Sequence, residues 1–133
     1  MHDSQELRTA VRQAMRTHGD SVDLNHLDVS RITDFSGLFE KSRFNGNISQ
    51  WDVSSGEQFD HMFESSRFNG DISRWDTANA TTVAYMFFNS SFQGNVSRWN
   101  TGRIKDMSCL FACTQFNGDV SQWDVSNVEW MDE

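Results

Sequence analysis

The chain repeats one ten-residue phrase at a fixed interval. FNGNISQWDV begins at Phe44, FNGDISRWDT at Phe68, FQGNVSRWNT at Phe92 and FNGDVSQWDV at Phe116, so the period is 24 residues without slippage. Repeats of about 20–50 residues are typical of stacked arrays, in which neighbouring units bury one another's apolar faces. The repetition therefore predicts a core built from equivalent residues of successive units.

Each unit combines two spacings of apolar residues. The first is the L-x-x-L-x-L spacing of leucine-rich repeats, which predicts a short strand; in the second unit it falls on Ile48, Trp51 and Val53. The second is a helical spacing, which falls on Phe59, Met62 and Phe63. We therefore predict an α/β solenoid that is leucine-rich-repeat-like, with about 4.5 repeats of parallel short strands and short helices, capped by an N-terminal α-helix.

A chain of 133 residues has the usual size of one domain. We expect a single domain over 1–133, in which a helix at 3–19 precedes the repeats. The repeat boundaries are 20–43, 44–67, 68–91, 92–115 and 116–133, the last repeat being incomplete. The predicted strands are centred near 27–29, 51–53, 75–77, 99–101 and 123–125. Their stacking would form one interior row of Trp51, Trp75, Trp99 and Trp123.

The N-terminal helix is predicted from one apolar stripe at helical spacing. The stripe consists of Leu7, Ala10, Val11, Ala14 and Met15. Asp3 is suited to cap the first turn with Glu6 as its capping-box partner, and Gly19 to end the last turn. We interpret the helix as a cap over the first repeat. The alternative is a basic helix that recruits a partner through Arg8, Arg12 and Arg16.

The repeat closely resembles the BspA-like repeat of bacterial surface and mycoplasma lipoprotein-type families, which runs roughly as F-N-x-D-I-S-x-W-D-V-S-x-V-x-x-M-x-x-M-F. FNGDVSQWDVSNVEWM at 116–131 and FNGNISQWDVSSGEQFDHMF at 44–63 carry the resemblance, which covers residues 20–133. The resemblance implies a leucine-rich-repeat-like solenoid with a role in adhesion or protein interaction. It implies no catalytic residue.

The charge of the chain limits its partners. A net charge of −8 argues against direct nucleic-acid binding, because phosphates attract a basic face, and it is compatible with a basic or nucleic-acid-binding protein. We find no metal-ligand spacing among the histidines and expect no cofactor and no metal. Cys109 and Cys113 are interpreted as reduced thiols. No apolar run suits a signal peptide or membrane span, which predicts a cytoplasmic protein, or a cell-surface one if a leader has been removed.

One candidate partner-binding surface is the predicted strand face opposite the tryptophans. Its residues are Asp28, Asp52, Asp76 and Asp124, with Arg74 and Arg98 beside them. Three interpretations remain open. The aspartates act as structural turn acceptors, or they form a mixed-charge recognition strip, or they build a calcium or catalytic site. The last is disfavoured because the carboxylates repeat with the structure and do not converge on one point.

Two further candidate surfaces break the repeat. Tyr85 and Phe88 replace residues such as His61 and Glu64 of the preceding unit, which predicts an apolar spot on the convex side or a locally deeper packing. At the C-terminal end, Trp130 stands where the other units have polar residues, namely Asp34, Gln58, Thr82 and Asp106. We expect a homodimer through Trp123, Val125, Trp130 and Met131, or docking of another partner on these residues. The alternative is that further residues after Glu133 cap the last unit.

The sequence therefore predicts a protein that is not an enzyme and that acts as a protein-protein interaction module. The first alternative is a small acidic inhibitor, phage-encoded and anti-CRISPR-like, which mimics nucleic acid or blocks a nucleic-acid-binding complex. This alternative follows from the acidic surface, since carboxylates can occupy a site meant for phosphates. The second alternative is a fragment of a bacterial surface adhesin or lipoprotein, which rests on the family resemblance.

Overall fold

The computed structural model describes residues 1–132. One α-helix, α1 (Ser4–His18), comes first and is followed by stacked 24-residue turns of chain that we call coils 1 to 5. Coil 1 spans 20–43, coil 2 spans 44–67, coil 3 spans 68–91, coil 4 spans 92–115 and coil 5 spans 116–132. Isolated parallel bridges join neighbouring coils. They are Asp23 with Asn47, Asp34 with Gln58, Gln58 with Thr82, Thr82 with Asp106, and Asp106 with Trp130.

The prediction of an α/β solenoid with parallel strands is wrong. Within residues 1–132 the backbone forms one helix and single bridges only, so there is no sheet. The strands expected near 27–29, 51–53, 75–77, 99–101 and 123–125 do not form, and neither do the short helices expected after them. The leucine-rich-repeat-like architecture inferred from the apolar spacing and from the resemblance is therefore corrected to a stack of coils built almost entirely from turns and extended segments.

Local turns use the backbone N–H and carbonyl groups that a β-strand would have paired with a neighbouring strand. The Trp51 N–H donates to the carbonyl of Ile48 at 3.1 Å, and the Asp52 carboxylate accepts the Ser54 N–H at 3.0 Å. A strand ladder would instead send such groups to a neighbouring chain segment. The same pattern recurs at Trp75, Trp99 and Trp123, so the predicted strand positions are corners of the coil.

The apolar residues at helical spacing lie on a run of turns that alternates two kinds of hydrogen bond. The Phe59 and Phe63 N–H groups donate to the carbonyls of Thr82 and Met86 in coil 3, at 3.0 and 2.8 Å. Between them, the Met62 N–H donates to Phe59 at 3.2 Å. His61 has a φ of 60°, which an α-helix cannot contain. The run therefore bonds sideways to the next coil at every second residue, and no helix propagates.

The core is a set of aromatic ladders with one ring per coil. The indole rings of Trp51, Trp75, Trp99 and Trp123 stack with centroid distances of 6.4, 6.4 and 6.5 Å. Each indole N–H donates to a carbonyl in the preceding coil, as Trp75 does to Ile48 at 3.1 Å. The expected interior row of tryptophans is therefore present, with its polar atoms satisfied.

Two phenylalanine ladders run beside the tryptophans. Phe39, Phe63, Phe87 and Phe111 form the first, with centroids 5.5–5.6 Å apart. Phe44, Phe68, Phe92 and Phe116 form the second, at 6.0–6.3 Å. Since every ring contacts equivalents in neighbouring coils, the coils stabilise one another.

Helix α1 packs against this core, and its prediction is confirmed. Asp3 caps the helix by accepting the Glu6 N–H at 2.8 Å, while Leu7 and Val11 are buried in the same cluster as the ladders. The Glu6 carboxylate accepts from His2 at 3.4 Å instead of from the N-cap residue. The Arg8 guanidinium donates to the carbonyls of coil 1 at Ser36 and Gly37. In residues 1–132 no helix has the length and apolarity to cross a membrane.

Candidate functional site

The aspartates proposed as a recognition strip lie in an exposed row at one corner of the coils. Each carboxylate accepts the backbone N–H two residues ahead: Asp28, Asp52 and Asp76 at 3.0 Å and Asp124 at 2.9 Å. Asn100 occupies the same position in coil 4 and makes the same bond at 3.0 Å. This geometry is the Asx turn, so the row has a structural role whether or not it also contacts a partner.

Serine hydroxyls add a second bond to several of these carboxylates. The Ser30 hydroxyl donates to Asp28 at 2.6 Å, and the Ser126 hydroxyl donates to Asp124 at 2.6 Å. These hydroxyl bonds, together with the backbone N–H bonds, hold the pKa of Asp28 and the pKa of Asp124 below their usual value. Both side chains are therefore charged at neutral pH and contribute to an acidic exposed edge.

Arg74 and Arg98 lie exposed beside the aspartate row. Among residues 1–132, the salt bridge between His61 and Glu64 is the only one within 4.0 Å, so neither arginine pairs with the row at that distance. The two arginines therefore add positive charge to the edge without holding its turns together.

Tyr85 and Phe88 lie on the run of turns in coil 3, and both are half-buried. Their rings meet edge to face with centroids 5.5 Å apart, and Tyr85 also stacks on His61 of coil 2 at 5.0 Å. The neighbouring Cys109 side chain of coil 4 is the largest cause that raises the pKa of Tyr85. The spot is thus a small aromatic ladder on the coil surface, packed against its neighbours and partly accessible.

The outer side of coil 5 carries the large apolar side chains that are exposed in the described residues. We call this surface the end face and define it as Val120, Trp123, Val125, Trp130 and Met131. The exposed fractions are 36% for Val120, 46% for Val125, 55% for Trp130 and 52% for Met131. Three of the four residues proposed for self-association, Trp123, Val125 and Met131, line one apolar cavity of about 310 Å³.

The fourth residue, Trp130, lies beside that cavity. Its carbonyl accepts the Met107 N–H at 2.8 Å, which continues the bridge row from Asp106 and fixes the register of coil 5. Coil 4 contributes Met107, Leu110 and Phe111 to the lining of the cavity, and Phe111 is the last ring of the first phenylalanine ladder. The end face therefore exposes the end of the apolar core, and Trp130 lies at its edge.

Sequence reasoning missed a polar groove along one side of coils 1 to 4. A cavity of about 510 Å³ is lined by Thr33, Ser55, Glu57, Asn79, Thr81 and Arg103. The Arg103 guanidinium donates to the Asn79 amide oxygen at 2.8 Å, and the Asn79 amide donates to the Ser54 carbonyl at 2.7 Å. The residues that line the groove recur at the same positions of the 24-residue period, and this regularity is the sequence signal that could have predicted it.

This fold and its exposed end define a repeat protein of stacked 24-residue coils closed on one side by a helix. The chain belongs to the family described as Mycoplasma protein of unknown function, DUF285, whose profile matches residues 5–111 and 88–133. No curated protein and no solved structure matches the chain.

Proposed function

We propose that this protein is a non-enzymatic protein-interaction module that binds through its end face. The observation that carries the proposal is the clustering of exposed Val120, Val125, Trp130 and Met131 on one coil. Large apolar side chains that lie together on a surface mark contact sites. Tryptophan in particular dominates interface energetics, because it buries a large area at low cost in conformational entropy.

A second copy of the chain is the occupant we propose for the end face. The opposite end of the stack is covered by α1, whose Leu7 and Val11 are buried in the core. A head-to-tail stack of copies would have to displace that helix. Two end faces that meet about a two-fold axis would leave that helix in place, and each residue would then meet a self-complementary surface. The cavity beside Trp123 would receive the Trp130 or Met131 side chain of the other copy.

The test is the oligomeric state of the 133-residue chain. Multi-angle light scattering at micromolar concentration is expected to give the mass of a dimer, and Trp130→Ala is expected to give the mass of a monomer. Phe88→Ala is the matched control, because it removes a half-buried aromatic ring from the other candidate surface. A wild-type monomer, or a dimer that Trp130→Ala leaves unchanged, would contradict the proposed use of the end face.

The resemblance of the repeats to BspA-like repeats supports the same functional class. The motif F-N-x-D-I-S-x-W-D-V-S recurs at Phe44, Phe68 and Phe116 with few changes, and that repeat family is associated with adhesion and protein interaction. We propose that the chain shares the functional class of the BspA-like repeats. The proposal does not extend to a leucine-rich-repeat architecture, because residues 1–132 form no sheet.

A second candidate function is favoured by the charge of the molecule. The net charge of −8 and the exposed Asp28, Asp52, Asp76 and Asp124 suit a small acidic inhibitor of a basic or nucleic-acid-binding protein. The test is binding to a basic nucleic-acid-binding protein at two salt concentrations, with Asp52→Asn and Asp76→Asn as variants that keep the turn acceptor. The inhibitor proposal requires binding that weakens with salt and with both substitutions.

A further inference from the structure

Stacking brings together three side chains that are scattered in the sequence. Glu40 and Glu64 are 24 residues apart and therefore occupy equivalent positions in coils 1 and 2. His61 lies three residues before Glu64 on the same run of turns. One ligand atom from each of the three side chains lies within 4.8 Å of the other two. The His61 Nδ1 and a Glu64 carboxylate oxygen are 3.0 Å apart.

We propose that Glu40, His61 and Glu64 form a binding site for a divalent cation of the zinc class. Zinc bonds to imidazole nitrogen and carboxylate oxygen are about 2.0–2.2 Å long, so two ligands of a tetrahedral ion lie roughly 3.3 Å apart. The 3.0 Å between the His61 Nδ1 and the Glu64 carboxylate oxygen is close to that value, and a Glu40 carboxylate oxygen lies within 4.8 Å of a ligand atom of each residue. The imidazole ligand favours zinc and related transition metals over magnesium and calcium, which prefer oxygen ligands alone.

The electrostatics of the cluster favour a bound cation. Stacked coils place the two glutamates side by side, and like charges at such distances repel. The Glu64 side chain is 16% exposed, so water solvates its carboxylate poorly. Its salt-bridge partner within residues 1–132 is His61, which carries positive charge only when protonated. A divalent cation would neutralise both carboxylates and leave the imidazole neutral, as metal coordination requires.

The histidine ring is held in place for this role. It stacks on the Tyr85 ring with a centroid distance of 5.0 Å and an interplanar angle of 10°. The backbone adds a second restraint, because the Glu64 N–H donates to the His61 carbonyl at 3.2 Å. Two of the three ligands therefore come from one tight turn, and Glu40 of the neighbouring coil supplies the third. Three protein ligands leave the fourth tetrahedral position to solvent, and the ion would join coil 1 to coil 2.

The test is isothermal titration calorimetry of the full chain with zinc chloride. The wild type is expected to bind one zinc ion at this site, and each of three substitutions is expected to weaken binding by about tenfold or more. His61→Gly removes the imidazole at a position where coil 1 already has a glycine with positive φ, Gly37. Glu64→Gln and Glu40→Gln remove one charge each, and Glu40 is exposed, so the last variant tests the site without risk to folding. His26→Gln is the matched control and is expected to bind zinc like the wild type.

Three outcomes would overturn the proposal. The first is zinc affinity that His61→Gly and Glu40→Gln leave unchanged. The second is affinity lost in Cys109→Ser and retained in His61→Gly, which would place the ion on the thiols. The third is magnesium binding as tight as zinc binding, which would show that the imidazole is not a ligand. None of these outcomes bears on the end face, so the cation site and the proposed interaction function stand or fall separately.

Discussion

Asp60 lies at a position that Ser36, Ala84 and Ser108 occupy in the other coils. One of its carboxylate oxygens is buried without a hydrogen-bond partner in the described structure. Burial is the largest cause that raises the pKa of Asp60, and the charges of Asp34 and Asp106 raise it further. The ionised form of this side chain therefore works against the fold at neutral pH.

Asp60→Ser is expected to stabilise the protein at pH 7. The gain in the free energy of unfolding should be roughly 1 kcal/mol or less, because the half-buried charge is partly screened by water. A raised folded-state pKa means that wild-type stability falls as the pH rises from about 3.8 through that pKa. The gain should therefore vanish in acid, where the carboxyl is protonated in both states. Urea unfolding at pH 7 and pH 3 measures both effects, and a variant that is less stable at pH 7 would contradict the assignment.

Asp71 shows the opposite behaviour. Its carboxylate accepts the Ser73 hydroxyl at 2.7 Å and the Ser73 N–H at 2.9 Å. The hydroxyl bond first, and then the backbone bond, lower the pKa of Asp71. Its contribution to stability is thus present above the ordinary value of 3.8 and is lost as the pH falls through the lower folded-state pKa.

Asp71→Asn is expected to retain the turn and to flatten the acid limb of the stability curve. Asn47 and Asn95 hold the equivalent turns in coils 2 and 4, with N–H bonds of 3.0 and 2.9 Å, which is why the amide should fold normally. Thermal melts from about pH 2 to about pH 5 would measure the slope of stability against pH, because this range brackets the ordinary aspartate pKa. An unchanged slope would show that Asp71 is not a source of the acid sensitivity.

At the scale of the element, the sequence predicts the ladders and α1 but not the path of the backbone between them. The spacing of Phe59, Met62 and Phe63 fits a helix as well as it fits the observed turns. What separates the two is the positive φ at His61 and Ser65, of 60° and 55°. Neither residue is glycine, so no local signal marks the break. The cross-coil hydrogen bonds that stabilise it come from residues a full period away.

Some of the candidate surfaces could likewise be predicted from the sequence, and others could not. Trp130 could be recognised from sequence because its counterparts Asp34, Gln58, Thr82 and Asp106 are polar, and the bridge row places all five in one register. The grouping of Glu40 with His61 and Glu64 could not be recognised, since it depends on side chains that meet only when the coils stack. The turn role of the aspartates is one of three interpretations that the sequence leaves open, and it is established by the hydrogen bonds that the carboxylates accept from the N–H groups of Ser30, Ser54 and Ser126.

The tryptophan ladder is the element whose loss should matter most. Trp75 stacks between Trp51 and Trp99, and its indole N–H donates to Ile48 at 3.1 Å. We expect Trp75→Ala to lower the free energy of unfolding by about 3–5 kcal/mol, which is typical of a deleted core aromatic. Trp75→Phe should cost less, because it keeps a ring and loses mainly the bond to the Ile48 carbonyl.

Trp130→Ala is the control for that measurement, because its side chain is 55% exposed. Below the concentration at which chains associate, the substitution should change the free energy of unfolding by about 0.5 kcal/mol or less. Guanidinium unfolding monitored by intrinsic fluorescence at low protein concentration measures both variants. Equal losses in Trp75→Ala and Trp130→Ala would contradict the description of the ladder as the core and of the end face as surface.

At the scale of the whole molecule, the net charge opposes self-association and the end face favours it. Each chain carries a net charge of −8, so two copies repel one another while their apolar faces attract. Salt screens the repulsion, since the Debye length falls from about 30 Å at 0.01 M to about 10 Å at 0.1 M ionic strength. Apolar contact persists under the same change, because it does not depend on charge.

Self-association through the end face is therefore expected to tighten by several-fold as sodium chloride rises from about 0.01 M to about 0.1 M. Sedimentation equilibrium on the wild type and on Trp130→Ala measures this, and the variant should remain monomeric throughout. A basic partner bound at the aspartate row would behave in the opposite way and dissociate over the same range. The sign of the salt dependence thus separates the two proposed functions. A dimer that weakens with salt would contradict the end face, because it would be held by charge attraction that this face does not offer.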